Sequence, residues 1–365
     1  MNLFRYIDKY GCYSFREVPF NELDNAVFAA LSYLDLNGIV SPNRYNPVTI
    51  HSTGELYPKL HSSKEKNGLA IRNAIKMLRY IKDTRRFSDL RLYNYVYEKG
   101  DEEQFSAVTI EINPKLVYVS FEGTDDLVSG WKEDFMLSYT FPVESQRRAI
   151  DYVNKHFFFR RKEIILGGHS KGGNLAMVAG MYANFMVRDK IIMIYNNDGP
   201  GLLKEQIESD YYKNIKGKLV HIIPNYYVVG LILRHEKNYV VVRSTRKSIL
   251  AHDLFTWVVQ GREFMKTELS PFSRELEDGI LRWLNQYDRE RRKKFVTSLF
   301  DIFARANVVS LVDVMENRKL IFQLIAESKE LDAEDRQILR DFLRMIFQCF
   351  KNVTKNEFSS IFSKK

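Results

Sequence analysis

The feature that most constrains this chain is a short apolar run that passes through closely spaced glycines into a helical segment. The apolar run covers residues 163–166 (EIIL), and glycines frame Ser170 in the pattern G-x-S-x-G at residues 168–172 (GHSKG). A helical segment follows at once, at residues 172–179 (GGNLAMVA). This order predicts a sharp strand-to-helix turn that projects the Ser170 hydroxyl above a sheet. Glycine is needed beside the serine because a side chain there would collide with neighbouring backbone.

Strand and helix patterns alternate on both sides of this turn. Strands are predicted at residues 115–121, 163–166, 190–195 and 218–223, and helices at residues 144–157, 172–186 and 202–214. An antiparallel meander is predicted before them, at residues 91–97, 105–112 and 116–121. Such alternation implies a mainly parallel sheet with helices on both faces, whose ligand crevice lies beyond the carboxyl ends of the strands. We therefore predict an α/β-hydrolase fold.

The strand signal stops after about residue 262. Helical periodicity takes over at residues 272–287, 292–306, 315–328 and 332–350. The sequence thus predicts an α/β-hydrolase domain at residues 1–260 and a helical C-terminal region at residues 261–365. Amphipathic helices are also expected near the start, at residues 20–36 and 63–83.

Composition narrows the functional classes. With 45% hydrophobic and 28% charged residues, the chain has the mix of an ordinary soluble globular protein. It shows neither an apolar stretch of about 20 residues nor the apolar core of a secretory signal, so we expect a cytoplasmic protein. Its two cysteines, Cys12 and Cys349, are far apart, which provides no disulfide framework and no metal-ligand spacing.

The chain is basic, with a net charge of +9. Its positive residues are scattered in small clusters, at residues 85–86, 160–162 and 291–294, where they are expected to be solvated helix ends. We therefore expect no nucleic-acid partner. A weak contact of the cluster at residues 291–294 with an anionic membrane surface stays open.

Ser170 is the candidate nucleophile. The helix that follows it directs its N-terminus at the turn, where free N–H groups and the helix dipole favour an anion. The alternative is a glycine-rich turn that packs tightly or binds a phosphate, with Ser170 as a helix cap. No Lys-Ser/Thr pair follows at the spacing of a phosphate-binding loop, which argues against nucleotide binding.

A serine hydroxyl needs a base, and in α/β-hydrolases the base follows the serine and the acid in the chain. Three histidines lie downstream of Ser170. His221 falls inside an apolar strand and is expected to be a packed core residue, while charged neighbours suggest that His235 lies in a solvated loop. His252 follows the last strand and a polar loop, so it is the predicted base. His169 is expected to point away from the site.

The candidate acid from the residues alone is Asp198, which follows the strand at residues 190–195. Asp253 is next to His252 but would point away from it. For the oxyanion, Lys171 supplies a backbone N–H, and Thr124, in the loop after the strand at residues 115–121, is the expected second donor. The alternative for residues 123–126 (GTDD) is a plain turn.

Four segments in this order resemble known lipases. Residues 121–124 (FEGT) with 130–135 (GWKEDF) are similar to the oxyanion segment of class 3 (fungal-type) lipases. Together with residues 168–176 (GHSKGGNLA), 197–201 (NDGPG) and 252–253 (HD), they resemble a bacterial family of lipase-like α/β-hydrolases over roughly residues 1–260. The resemblance implies Ser170 as nucleophile, Thr124 and Lys171 as oxyanion donors and His252 as base.

The chain departs from the class 3 pattern at two positions. Glu122 stands where arginine is usual, and Tyr226 stands where the acid is expected, in residues 224–230 (PNYYVVG). Three outcomes follow: Asp198 orients His252, or Tyr226 or Asn225 holds the imidazole by a neutral hydrogen bond, or the site is weak or inactive. Loss of the orienting carboxylate costs about 10⁴-fold in turnover in a serine protease.

Two functions are therefore expected. The first is a serine hydrolase of small ester or lipid-like acyl substrates, which needs no cofactor or metal. The second is a catalytically weak or inactive α/β-hydrolase-fold protein with a binding or regulatory role, which would use the helical C-terminal region as its interaction surface.

Overall fold

A computed structural model of the chain describes residues 1–61, 68–99, 104–124, 128–231, 233–236, 238–306, 308 and 331–352. Its centre is an eight-stranded sheet whose strands lie in the order of the sequence. The strands are β1 (Val48–Thr49), β2 (Arg91–Lys99), β3 (Gln104–Asn113), β4 (Leu116–Phe121), β5 (Glu163–His169), β6 (Ile191–Asn197), β7 (Leu219–Pro224) and β8 (Val240–Val242). A separate antiparallel pair is formed by β9 (Val259–Gln260) and β10 (Glu263–Phe264).

The direction of pairing changes at β4. Strands β1 to β4 pair antiparallel, whereas each pair from β4 to β8 is parallel. The carboxyl ends of β4, β5, β6, β7 and β8 therefore meet at one edge of the sheet. This edge is where the sequence placed its candidate site residues.

Helices cover both faces of the sheet and continue beyond it. They are α1 (Leu3–Tyr10), α2 (Glu22–Leu31), α3 (Ile50–Leu60), α4 (Leu69–Ile81), α5 (Val128–Met136), α6 (Glu144–Phe157), α7 (Lys171–Tyr182), α8 (Phe185–Arg188), α9 (Lys204–Ile207), α10 (Asp210–Lys216), α11 (Pro271–Gln286), α12 (Arg289–Arg305) and α13 (Ala333–Asn352). The helix predicted at residues 63–83 is seen from Leu69, and that predicted at residues 315–328 lies outside the described residues.

The two cores follow from strand alternation. Along β4, Tyr118 packs with α1, α2 and α4 on one face, whereas Val117 and Val119 pack with α6 and α7 on the other. Along β5, Ile165 joins the first core and Ile164 and Leu166 join the second. Successive side chains of a strand point to opposite faces, so a run of apolar residues is buried on both. The predicted α/β-hydrolase fold is confirmed.

One expected surface group is buried. Arg86 was predicted as part of a solvated helix end, but its guanidinium pairs with the carboxylate of Asp24 at 2.5 Å and neither side chain is exposed. The Tyr6 hydroxyl donates to the same carboxylate at 2.9 Å. Arg86 therefore anchors α2 in the core, and the expectation for this residue was wrong.

The C-terminal helices pack on the sheet domain through α5. Trp131 and Phe135 of α5 contact a cluster built by α11, α12 and α13, with the rings of Phe135 and Phe300 5.7 Å apart. Leu276 of α11 packs under β7 in another cluster. Within the described part of the chain, no helix is both long and apolar enough to cross a membrane.

Candidate active site

Ser170 sits at the tip of a sharp turn between β5 and α7. Its backbone has φ 57° and ψ −134°, a region that residues other than glycine rarely adopt. The turn is held from the next strand, because the Ser170 N–H donates to the carbonyl of Asn197 at 3.0 Å. Such strain persists only where the surrounding structure enforces it, and it clusters at functional sites.

The two motif glycines are required by close backbone contacts. A Cβ at Gly168 would lie 2.3 Å from the carbonyl carbon of Gly172, and a Cβ at Gly172 would lie 2.1 Å from the carbonyl oxygen of Phe121. Real Cβ atoms do not approach backbone this closely. Helix α7 is thus packed against the end of β4, as the pattern predicted.

Asp198 and His252 meet above the same edge. Asp198 follows β6 with φ 51°, and its Oδ2 lies 2.6 Å from Nδ1 of His252. His252 ends a short 3₁₀ turn, Ser248–His252, that follows β8. Because a carboxylate oxygen accepts, the imidazole donates from Nδ1, which leaves Nε2 as an acceptor.

Burial dominates the electrostatics of the acid. The Asp198 side chain is fully buried, and desolvation raises the pKa of its carboxyl well above the ordinary value. The N–H of Gly230 opposes this rise by favouring the charged form. The His252 side chain is 16% exposed, so the pair has one partner in the protein interior and one that reaches the cavity.

The two other candidate partners of the imidazole have contacts of their own. Asn225 is used by the backbone: its Oδ1 accepts from the Ser244 N–H at 2.9 Å. The ring of Tyr226 packs against the cluster around Ile223 and lies 5.5 Å from Nζ of Lys247. The structure therefore brings Asp198, and not Asn225, to Nδ1 of His252.

His169 belongs to the site, contrary to the sequence expectation that it points away. Its ring centroid is 4.3 Å from that of His252. Its Nε2 lies 2.8 Å from the carbonyl oxygen of His252, and its Nδ1 lies 2.8 Å from the hydroxyl of Tyr33. Burial lowers the pKa of His169 well below its ordinary value, so the ring is neutral.

The partners of His169 assign its tautomer. A carbonyl oxygen can only accept, so Nε2 carries the proton and donates to His252, while Nδ1 accepts from Tyr33. His169 and Tyr33 thus hold the backbone of the candidate base. No spacing rule pointed to Tyr33, because it comes from the loop after α2, 136 residues away from His169.

Adjacent carboxylates of α5 hold the two predicted oxyanion residues. The Thr124 hydroxyl donates to Oδ2 of Asp134 at 2.7 Å. Nζ of Lys171 donates to Oε2 of Glu133 at 2.8 Å and to the carbonyl of Gln104 at 3.0 Å, and this ion pair is almost fully buried. The sequence pattern assigned no role to Glu133 or Asp134.

The backbone donors of the same two residues are free. Within the described residues, no protein acceptor takes the N–H of Thr124 or of Lys171. These free N–H groups have the character needed to bind a developing anion.

The carboxyl group that accepts from the Thr124 hydroxyl has a raised pKa. Burial raises the pKa of Asp134 to about 7, and this rise is opposed by the positive charge of Lys171 and by the Thr124 hydrogen bond.

A cavity of 340 Å³ joins these groups. It is lined by Ser170, His252, His169 and Thr124 together with mostly apolar side chains. Ser170 is only 2% exposed, and the small part of it that is accessible lines this cavity. Across the described part of the chain, no group of three or more His, Cys, Asp or Glu side chains is placed to hold a metal ion.

The remaining downstream histidines lie outside the cavity. His221 is buried in β7, as predicted. His235 was expected in a solvated loop, but its ring centroid lies 4.2 Å from that of His221, with the two rings tilted, and its Nε2 lies 2.6 Å from the carbonyl oxygen of Gly230. Burial lowers the pKa of His235 to about 4, so this ring is a neutral packing group and that expectation was wrong.

A family model described as Mbeg1-like matches residues 81–301, more than half of the chain. The chain belongs to the Mbeg1-like family. The Mbeg1-like segment contains Ser170, Asp198 and His252 together with α5, and it leaves out Tyr33 and α13.

Comparison with other known proteins adds little to this assignment. No curated protein matches this Mbeg1-like chain. Among solved structures, the crystal structure of M37 lipase is similar with 14% identity and a TM-score of 0.37, covering 58% of this chain and 70% of that chain.

Proposed function

We propose that this Mbeg1-like chain is a serine hydrolase of acyl esters, in which Ser170 is the nucleophile, His252 the base and Asp198 the acid. The observation that carries the proposal is the Asp198–His252 hydrogen bond of 2.6 Å above a cavity that Ser170 also lines. A base held by a buried carboxylate beside an activated serine is the arrangement that acyl transfer requires.

The proposed reaction has two steps, acylation of Ser170 and hydrolysis of the acyl-serine, and both use the same groups. The Ser170 oxygen attacks the ester carbonyl while Nε2 of His252 takes its proton, and the imidazolium is stabilised by Asp198. The N–H groups of Thr124 and Lys171 bind the resulting oxyanion. The protonated His252 then donates to the leaving alcohol, and a water molecule attacks the acyl-serine in the same way to release the acid.

The changed acid position supports this proposal. The chain resembles class 3 lipases but carries Tyr226 where their acid is expected, and Asp198 approaches His252 from the end of β6 instead. The segment that carries Tyr226 also affects this acid, because the N–H of Gly230 favours the charged form of Asp198. A Cβ at Gly230 would lie 3.1 Å from Oδ1 of Asp198.

The alternative, a fold used only for binding or regulation, was suggested by the missing aspartate at residue 226. It is less well supported than hydrolysis, because a different carboxylate occupies the position beside Nδ1 of His252. It predicts an apolar cavity that binds an acyl compound without turning it over.

Labelling by a fluorophosphonate tests the proposal, since this reagent reacts with an activated serine. The wild type is expected to be labelled at Ser170, and Ser170→Ala is expected to be spared. Ser88→Ala, which changes a serine outside the cavity, serves as the matched control and should label like the wild type. Equal labelling of wild type and Ser170→Ala would contradict the proposal.

Turnover separates the two functions. Purified wild type is expected to hydrolyse chromogenic esters of short and medium acyl chains well above the Ser170→Ala background. Binding of the same esters with no turnover above that background would favour the non-catalytic role.

A further inference from the structure

The cavity beside Ser170 is apolar on most of its wall. The apolar lining comes from four parts of the fold: Tyr33, Leu69, Trp131, Leu250, Leu254 and Phe255. Such a wall favours the hydrocarbon part of a substrate, because transfer of apolar surface from water drives its burial. An ester seated here would therefore place its acyl chain inside the cavity and its other part at the opening.

One cation on this wall has no acidic partner among the described residues. Arg72, in the second turn of α4, lines the cavity and is exposed. Among the described residues, no hydrogen bond or ion pair engages its guanidinium. By contrast, the buried cations Arg86 and Lys171 are each paired with a carboxylate.

The acidic group on the same wall is already engaged. Oδ2 of Asp253 accepts from Nδ2 of Asn73 at 3.0 Å, and its Oδ1 accepts from the N–H of Phe255 at 3.0 Å. These bonds tie the loop that carries His252 to α4. Asp253 is therefore a structural acceptor, and within the described part of the chain the donors of Arg72 remain available.

Arg72 shares the cavity with apolar side chains that remain in contact with solvent. Leu69 and Leu250 both line the cavity, yet they are 41% and 45% exposed. This part of the wall thus presents apolar surface next to a positive charge. The combination matches a molecule whose hydrocarbon chain ends near a negatively charged group.

We infer that the substrate is an acyl ester whose non-acyl part carries an anionic group, a phosphate or a carboxylate, which Arg72 binds at the opening of the cavity. The inference rests on the proposed hydrolase function and names the substrate class of that site. A guanidinium binds both anions through two parallel N–H···O bonds, which gives orientation as well as affinity.

Two pairs of water-soluble chromogenic esters test this inference. Within each pair the acyl chain is the same and the leaving group is either neutral or phosphate-bearing; one pair carries an octanoyl chain and the other an acetyl group. The wild type is expected to show a higher kcat/KM for the anionic ester of each pair, and a higher value for octanoyl than for acetyl. A preference for the anionic ester in the acetyl pair alone would indicate that the site binds a small soluble anion. It would overturn the inference that the substrate combines an acyl chain with an anionic group.

The matched variants are Arg72→Gln, Arg72→Lys and Arg79→Ala. Arg72→Gln is expected to lower the ratio of kcat/KM values, anionic over neutral, by about tenfold, since it removes the charged hydrogen-bond donors of the guanidinium. Arg72→Lys keeps the charge but loses the two parallel hydrogen bonds, so its ratio should fall between those of the wild type and Arg72→Gln. Arg79, exposed on the same helix but outside the cavity, should leave the ratio unchanged on substitution.

The outcomes separate this inference from the proposed function. Ser170-dependent hydrolysis with no anionic preference, or with the same ratio in Arg72→Gln as in the wild type, would overturn the role of Arg72 and leave the hydrolase intact. Absence of any Ser170-dependent hydrolysis would remove both. The preference is also expected to shrink as salt is raised from about 0.01 M to 1 M, because exposed charges are screened over shorter distances.

Discussion

The two halves of the candidate site are held in different ways. On the acid–base side, Asp198 and His252 follow strands of the same sheet, and the neutral ring of His169 contacts the backbone carbonyl of His252. On the oxyanion side, Thr124 and Lys171 are held by two buried carboxyl groups of α5, those of Asp134 and Glu133. The acid–base side thus depends on the sheet, and the oxyanion side depends on the buried carboxyl groups of α5.

This difference links the C-terminal helices to one half of the site. Helix α5 carries both carboxylates, and its Phe135 packs on Phe300 of α12. Among the described residues, the hydrogen bonds given above for Asp198 and His252 involve β6, the loop after β8 and His169, which are distant in sequence from α12. Changes in the C-terminal region should therefore reach the oxyanion donors before they reach the acid–base pair, and four experiments test this comparison in order of expected effect.

The largest effect is expected from Asp198→Asn. It leaves the shape of the site but removes the charge that stabilises the imidazolium, so kcat should fall by about 10⁴-fold. Steady-state kinetics on a soluble ester measure the loss. Tyr226→Phe is the control, and its kcat should stay within a few-fold of the wild-type value. A large loss of kcat in Tyr226→Phe together with a small loss in Asp198→Asn would show that Asp198 is not the acid.

The buried ion pair of the oxyanion side comes next. Glu133→Leu leaves Lys171 buried without its carboxylate, which should lower the free energy of unfolding by about 3–5 kcal/mol and lower kcat as the turn relaxes. Denaturant unfolding and kinetics measure both. The double variant Lys171→Met with Glu133→Leu should recover most of the stability, because neither residue of the buried ion pair remains. If Glu133→Leu alone has the wild-type free energy of unfolding, the ion pair contributes nothing to stability.

Phe300→Ala tests the link through α5. Loss of this ring should cost about 3–5 kcal/mol of stability and lower kcat by about tenfold, since small displacements far from the chemistry cost up to about 10²-fold. If α12 supports only the oxyanion side, Asp198 and His252 stay in place in this variant. The downfield proton resonance of the His252 Nδ1–H should therefore be the same in wild type and variant, and its loss would show that both halves depend on α12.

The last expected effect is a dependence of stability on pH. Asp134 has a pKa raised to about 7, so between about pH 4 and pH 7 the folded protein binds a proton that the unfolded chain has released. The free energy of unfolding should therefore fall as pH rises through this window. Asp134→Asn removes this slope, and thermal unfolding of both proteins across the window is the measurement; parallel curves would contradict the assignment.

Local patterns in the sequence by themselves determine much of the architecture. The glycines around Ser170 require a turn against neighbouring backbone, and alternation of strand and helix periods places that turn at one edge of a parallel sheet. Because parallel strands end at the same edge, Asp198 and His252 were both predicted to lie there. These inferences rest on spacings within single elements and on their order, which the chain carries in itself.

The partner of each polar side chain was decided only by the tertiary structure. The sequence left three candidate partners for His252, namely Asp198, Asn225 and Tyr226. In the folded chain, the turn after β6 brings Asp198 to Nδ1 of His252. His169 was expected to point away and instead contacts His252, while Lys171 finds Glu133 across 38 residues. Periodicity reports which face of an element is buried, but a polar contact joins elements distant in sequence, and its geometry exists only once they are packed.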